Sequence, residues 1–105
     1  MRKKIDIYSK NYQPEETPKY IIKLFNEIGA NDDVRVLQIL RRGIYSELTT
    51  FGMIINNYDM IIDNKDFDDD CYEKYKADCS EYFYLTNLFN IVTDKIYYLT
   101  HSEEI

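Results

Sequence analysis

A chain of 105 residues with a formal net charge of −6 is long enough for one domain with its own core, and its charge disfavours direct binding to nucleic acid. No apolar run approaches the ~18 to 20 residues that a membrane-spanning helix requires, since the Met-Ile-Ile runs at 53–55 and 60–62 are separated by amide and acidic side chains. Cys71 and Cys79 lie ~12 Å apart if they share a helix, which is too far for a disulfide. We therefore expect a single cytoplasmic domain over residues 1–105, without a signal peptide.

The N-terminal part of the chain predicts a short strand and then a helix. Isoleucines alternate with polar residues over residues 3–8, which is typical of a half-buried strand. Thr17 can cap a helix that begins with Pro18, and Gly29 is suited to the far end. The first helix is therefore expected at residues 18–28.

Two more helices are predicted on either side of Gly43. Asn31 or Asp32 would cap the earlier one, whose apolar residues recur at spacings of three and four. Gly43 follows two arginines, which favour the negative end of a helix, and is placed to end it. Ser46 would then cap the next helix, expected at about residues 47–57.

The longest helical repeat lies in the C-terminal part of the chain. Asp66 can cap a helix that begins near Phe67, and no glycine or proline interrupts the sequence after it. Apolar residues, with one aspartate among them, recur there at alternating spacings of four and three: Cys71, Tyr75, Asp78, Tyr82, Leu85, Phe89, Val92, Ile96 and Leu99. Thr93 and Asp94 could instead begin a separate last turn or strand.

These elements predict a mainly α fold: a small four-helix domain with a long C-terminal helix, with or without a short N-terminal strand. The alternative is an α+β fold in which residues 3–8 pair with residues 95–100. No internal repeat and no linker between domains is evident in the sequence.

The acidic charge is concentrated in one segment. Residues 59–81 contain nine acids and three lysines, a balance of −6 that equals the net charge of the whole chain. Acids at the start of a helix favour its positive end, which is a sufficient structural explanation for residues 68–70. Carboxylates spread along a rigid helix can also imitate a phosphate track, and exposed tyrosines suit a protein interface. The candidate partner-binding residues are Asp63, Asp66, Asp68, Asp69, Asp70, Tyr72, Glu73, Asp78 and Glu81.

Motifs for catalysis or cofactor binding are missing from the sequence. No register of the acidic segment supplies the ligand spacing and the glycine of an EF-hand calcium loop. The single histidine, His101, and the two cysteines do not make a zinc-binding pattern. There is no glycine-rich phosphate loop and no nucleophile elbow. We expect no enzyme activity, no catalytic residues, no cofactor and no metal.

The preferred functional hypothesis is a non-catalytic protein-binding module. It would act as an inhibitor that uses its acidic helix face against a basic, nucleic-acid-handling protein such as a nuclease. Residues with AT-rich codons are abundant, which favours a phage or viral antagonist of host defence acting in the host cytoplasm, or a bacterial immunity protein. No membrane partner is expected.

Two alternatives belong to other functional classes. The helices predicted around Gly43 resemble a helix-turn-helix in outline, in which Arg35, Arg41 and Arg42 could contact phosphates of a nucleic acid. The chain could also be a structural subunit of a homo-oligomer, such as a homodimer, whose apolar helix stripe is completed by a second copy.

Overall fold

The computed structural model describes residues 3–101 and contains three helices: α1 (Lys19–Ala30), α2 (Val34–Ile61) and α3 (Asp69–His101). No strand occurs within residues 3–101, and residues 95–100 belong to α3. The mainly α fold is thus confirmed, whereas the N-terminal strand and the α+β alternative are wrong. Within the described residues, no helix combines the length and apolar character needed to cross a membrane.

The number of helices is three rather than four, because α2 runs without interruption through Gly43. A glycine inside a helix costs only about 1 kcal/mol, which is less than burial of one large aliphatic side chain contributes. Leu37 and Ile44, on either side of the glycine, are both buried on the same helix. The predicted cap, Ser46, instead lies inside α2, where its carbonyl oxygen accepts a hydrogen bond of 3.1 Å from Thr50.

The helices begin one or two residues later than the sequence pattern predicts. The Asp33 side chain caps α2 by accepting a hydrogen bond of 2.9 Å from the backbone N–H of Arg35. At the start of α3, Asp68 accepts a bond of the same length from Cys71. Helix α1 has Pro18 as its N-cap and continues past residue 28 to Ala30. The predicted caps at Thr17, Asn31 or Asp32, and Asp66 are therefore wrong by one or two positions.

Helices α2 and α3 form an antiparallel hairpin along their full length. Near the end of α2, Asp59 is hydrogen bonded to Tyr75 near the start of α3. Near the start of α2, Arg41 donates a bond of 2.8 Å to Thr93 in the last third of α3. The hairpin sets the elongated shape of the molecule, whose principal extents are 57, 25 and 23 Å.

Two further parts of the chain pack against the hairpin, each covering a different half of α3. Helix α1 covers the second half of α3, where Lys95 Nζ donates to the carbonyl oxygens of Ile28 at 2.7 Å and Gly29 at 3.0 Å. These bonds satisfy carbonyls that the end of a helix leaves without internal partners. Residues 3–17, named here the N-terminal segment, are not helical and cover the first half of α3.

The core consists of two clusters, one in the half that α1 covers and one in the half that the N-terminal segment covers. The aliphatic cluster joins α1, α2 and the second half of α3: Ile21, Ile28, Leu37, Ile44, Leu85, Leu88 and Val92. The aromatic cluster joins the end of α2 to the start of α3: Ile62, Phe67, Tyr75 and Cys79.

Helix α3 confirms the repeat that the sequence predicts. Tyr75, Leu85 and Val92 are buried and the other six members are partly buried. The helix continues through residues 93–100, so the separate last turn or strand considered there is wrong.

Candidate protein-binding surface

The exposed carboxylates collect at one end of the molecule. Because α2 and α3 are antiparallel, the end of α2, the connection at residues 62–68 and the start of α3 meet there. Six of the nine candidate residues are exposed in this region, named here the acidic end: Asp63, Asp66, Asp68, Asp69, Asp70 and Glu73. The fold therefore places six exposed carboxylates at the tip of an elongated body, where they outnumber the exposed Lys65 and Lys74.

The connection that carries these carboxylates has a defined conformation. Ile62 and Phe67, near its two ends, are both buried with 3% of their surface exposed. Between them, the backbone N–H of Asn64 donates to Ile61 O at 2.9 Å, and that of Phe67 donates to Asn64 O at 2.9 Å. The Asn64 side chain accepts a further bond from the N–H of Asp66 at 3.0 Å. Two buried anchors and three local hydrogen bonds thus hold the acidic connection in place.

Some of this charge serves the helix itself. Asp68 caps α3, and Asp69 and Asp70 lie in its first turn, where the helix dipole favours negative charge. Glu73 forms an ion pair of 3.0 Å with Lys76, one turn later on the same helix. Such an exposed pair contributes little to stability, because water and salt screen its charges. The structural role of the first-turn acids and a binding role are therefore compatible.

The remaining acidic candidates, Asp78 and Glu81, lie away from the acidic end and already have partners within the chain. Glu81 accepts a hydrogen bond of 2.6 Å from the hydroxyl of Tyr20 on α1. Burial and this bond raise the pKa of Tyr20. Burial also raises the pKa of Asp78, an effect that a hydrogen bond from Tyr58 partly offsets. Both carboxylates connect α3 to its neighbours.

Tyr72, the one aromatic candidate, is part of the aromatic cluster rather than a freely exposed ring. Its ring centroid is 5.8 Å from that of Tyr75 and 6.4 Å from that of Phe67. Its hydroxyl donates a bond of 3.3 Å to the carbonyl oxygen of Lys3. This side chain therefore links the base of the acidic end to the N-terminal segment.

A network of hydroxyl groups holds the N-terminal segment against α3. The completely buried Tyr75 donates to Asp59 Oδ1 at 2.6 Å and accepts from the backbone N–H of Ile5 at 2.8 Å. Ser80 accepts from the N–H of Glu15 at 2.9 Å. Sequence patterns do not reveal the bonds to the N-terminal segment, because their partners are 65 to 70 residues apart and one partner in each is a backbone N–H.

Three observations concern the residue types that take part in metal binding or nucleophilic catalysis. Within residues 3–101, no group of three or more His, Cys, Asp or Glu side chains is placed to hold a metal ion. Burial raises the pKa of the Cys79 thiol to about 12, so the group stays protonated near neutral pH and is a poor nucleophile there. The His101 ring stacks on Tyr97 with centroids 3.9 Å apart, on the outside of α3.

The continuous α2 removes the turn on which the helix-turn-helix resemblance depends. Arg35 and Arg42 are exposed on one uninterrupted helix. Arg41 is engaged within the chain, since it bonds to Thr93 and its guanidinium carbon lies 4.9 Å from the centroid of the Phe89 ring. The two helices joined by a turn that this motif requires are therefore not present here.

No protein-family model, curated protein or solved structure matches this chain. Its function has to be inferred from the arrangement of its own side chains.

Proposed function

We propose that this protein is a non-catalytic binding module whose acidic end docks on a basic surface of another protein. One observation carries the proposal: six exposed carboxylates project from an anchored connection and the adjoining helix turn at the tip of a body 57 Å long. A tip of this kind can enter a concave surface, and the backbone that carries its charges is already held in place before binding. Little ordering is then needed on association, which favours affinity.

The partner with the matching chemistry is a protein that handles nucleic acid. Such proteins carry lysine and arginine in the groove that contacts phosphates, and a group of carboxylates on an ordered scaffold can occupy the same groove. The bound module would exclude the nucleic acid and so inhibit the partner. A nuclease inhibited in this way would suit a phage or viral antagonist of host defence, or an immunity protein, in the cytoplasm.

Two features favour this proposal over direct binding of nucleic acid. The chain carries a net charge of −6, which repels a phosphate backbone. The three arginines in the described part of the chain are all on α2, and one of them is bonded to α3. The exposed lysines are distributed along the chain, at positions 3, 4, 10, 19, 23, 65 and 74, whereas six exposed carboxylates are grouped at the acidic end.

The test is affinity capture from a lysate of the natural host, at low and at high salt and with and without nuclease treatment. The test variant is Asp66→Lys with Asp70→Lys, which reverses two exposed charges and leaves the cap residue Asp68 intact. The matched control is Glu16→Lys with Asp94→Lys, which makes the same change of net charge at exposed positions outside the acidic end.

We expect a basic protein to be recovered at low salt, to be lost at high salt and to be unaffected by nuclease treatment. The test variant should bind the recovered protein at least about tenfold more weakly, and the control should bind like wild type. Equal binding by the two variants would contradict the proposal. Recovery that requires nucleic acid would favour a nucleic-acid-binding function instead.

A further inference from the structure

The outer face of α2 is covered by no other element in the described part of the chain. Helix α3 packs along one side of α2, and α1 lies beside the first half of α2 across a groove lined by Leu24 and Leu40, which leaves another face of α2 exposed. Three of its large apolar side chains are well exposed, Tyr45 by 58%, Met53 by 66% and Met60 by 76%, and the Tyr45 ring borders Phe89 of α3 with centroids 5.7 Å apart. Exposed apolar side chains that recur along one helix face are typical of an interaction surface.

Charge along this face changes in a fixed order. Arg35 and Arg42, both exposed, stand near its N-terminal end. The two acids of α2 belong to its sides rather than to this face. Glu47 lines the groove beside α1, and Asp59 is hydrogen bonded to Tyr75. The next exposed acid is Asp63, just beyond the last residue of the helix. From the N-terminal to the C-terminal end of α2, the face is therefore first basic, then uncharged and finally acidic.

We infer that this face binds the same face of a second copy, with the two α2 helices antiparallel and the two-fold axis near Thr49. In this register Arg35 lies opposite Asp63 of the second copy, because the two positions are each fourteen residues from Thr49. Tyr45 lies opposite Met53, each four residues from the axis. Two-fold symmetry repeats every such pair, so both ends of the interface join opposite charges.

The order of charges selects a second copy as the occupant. An antiparallel copy brings its acidic end beside the arginines, whereas a parallel copy would place like charges together. The centre of this face of α2 contains Met53 and carries no charged side chain. Protein interfaces are likewise depleted of charge at their centre. Methionine and tyrosine are also suited to interfaces, since the first adapts its shape and the second has a rigid ring.

The inference uses Asp63, which also belongs to the acidic end, but the centre of the inferred interface is separate from that end. Thr49 and Met53 lie on α2 at least ten residues before the acidic end, so a variant there separates self-association from capture of a basic partner. Failure of the dimer test would leave the acidic-end proposal standing, and the reverse is also true.

The first experiment is sedimentation equilibrium from about 5 to 200 μM. Wild type is expected to sediment as a dimer, with weaker association at 500 mM than at 50 mM salt. Met53→Glu places a charge at the centre of the face and should raise the dimer dissociation constant at least about tenfold. Asn90→Glu makes the same charge change at an exposed position of α3 and should leave the dimer unchanged. Far-ultraviolet circular dichroism checks that both variants keep their helices.

A charge swap tests the orientation. Arg35→Asp with Arg42→Asp should weaken the dimer, and so should Asp63→Arg with Asp66→Arg in a separate protein. A mixture of the two proteins should form a heterodimer, because each end then joins opposite charges again. The loss of association in each variant alone identifies the orientation, because in a parallel dimer wild type already joins like charges and neither variant would weaken it.

A cysteine placed on the two-fold axis tests the register. Thr49→Cys should form a disulfide-linked dimer under mild oxidation, and Asn90→Cys at the same concentration should not. A wild-type chain that remains monomeric to 200 μM overturns the inference. So does a dimer that Met53→Glu leaves intact, or one in which both cysteine variants cross-link equally.

Discussion

The two halves of the hairpin are stabilised by different kinds of contact. In the half that α1 covers, branched aliphatic side chains from three helices form the core. In the half that the N-terminal segment covers, aromatic rings replace them, with Phe67 and Tyr75 at 6.4 Å and Tyr58 and Tyr75 at 5.5 Å between centroids. The acidic end belongs to the aromatic half.

The difference follows from what each covering element can do with its own backbone. A helix satisfies most of its N–H and C=O groups internally, so α1 contacts its neighbours mainly through apolar side chains. The N-terminal segment lacks regular structure, and its backbone groups need partners from side chains. Tyr75, Ser80 and Tyr84 provide them for Ile5 and Glu15. A tyrosine can fill a core with its ring and hydrogen bond with its hydroxyl, as Tyr75 does here.

The largest expected effect comes from the aliphatic half. Leu85 is completely buried at the centre of the aliphatic cluster, so Leu85→Ala should lower the free energy of unfolding by about 2–5 kcal/mol. Chemical denaturation followed by circular dichroism measures it. Ile39, 68% exposed on α2, serves as the control, and Ile39→Ala should change stability by no more than about 0.5 kcal/mol. Equal losses in both variants would refute the proposed core.

A smaller effect is expected from removing one hydroxyl group in the aromatic half. Tyr75→Phe keeps the ring but leaves Asp59 without a donor and the N–H of Ile5 without an acceptor. The expected loss is about 1–3 kcal/mol, measured by the same denaturation. Tyr98→Phe, at a residue 70% exposed, should have almost no effect. A Tyr75→Phe protein as stable as wild type would show that the hydrogen bonds of Tyr75 do not hold the segment.

Alkaline pH should weaken the aromatic half in particular. Burial raises the pKa of Cys79 from 9.0 and that of Tyr12 from 10.0, each to about 12. The unfolded chain releases these protons at a lower pH than the folded chain does, so the stability they provide is complete below pH 9 and is lost as the pH approaches 12. Urea midpoints measured from pH 8 to 11 should fall steadily above 9. Midpoints that stay constant to pH 11 would contradict this prediction.

The smallest effect concerns Asp78, whose replacement is expected to increase stability at pH 7 rather than to lower it. Burial raises the pKa of this carboxyl above its ordinary 3.8, so the proton favours the folded state. That contribution is present below pH 3.8 and is lost as the pH rises through the pKa of the folded state. Asp78→Asn should therefore raise the denaturation midpoint slightly at pH 7 and leave it unchanged at pH 3. A lower midpoint at pH 7 would mean that the ionised carboxylate stabilises the fold.

The sequence pattern predicts the helices better than their ends. Spacings of three and four in α3 correctly identify Tyr75, Leu85 and Val92 as core residues, because a long helix must bury one face. Gly43 leads to the wrong prediction of a helix end, because burial of Leu37 and Ile44 on either side of it outweighs the small cost of glycine in a helix. An added Cβ at Gly43 would meet no atom within 4 Å, so neither a turn nor close packing accounts for this glycine.

The candidate surface was partly predictable for a related reason. Six of the nine residues are neighbours in sequence and remain together around one connection, so the charge count alone locates the acidic end. The roles of Asp78 and Glu81 depend on Tyr58 and Tyr20, which are distant in sequence and are brought near only by the packing of α2 and α1 on α3. No local pattern contains that information.

Hydrogen exchange of wild type and Tyr75→Phe, measured by mass spectrometry, tests most directly whether the two halves are stabilised separately. The account predicts that Tyr75→Phe accelerates exchange in residues 71–80 and leaves residues 85–96 nearly unchanged, since the hydroxyl holds only the aromatic half. Equal acceleration along all of α3 would contradict it, because the hairpin would then open as one unit.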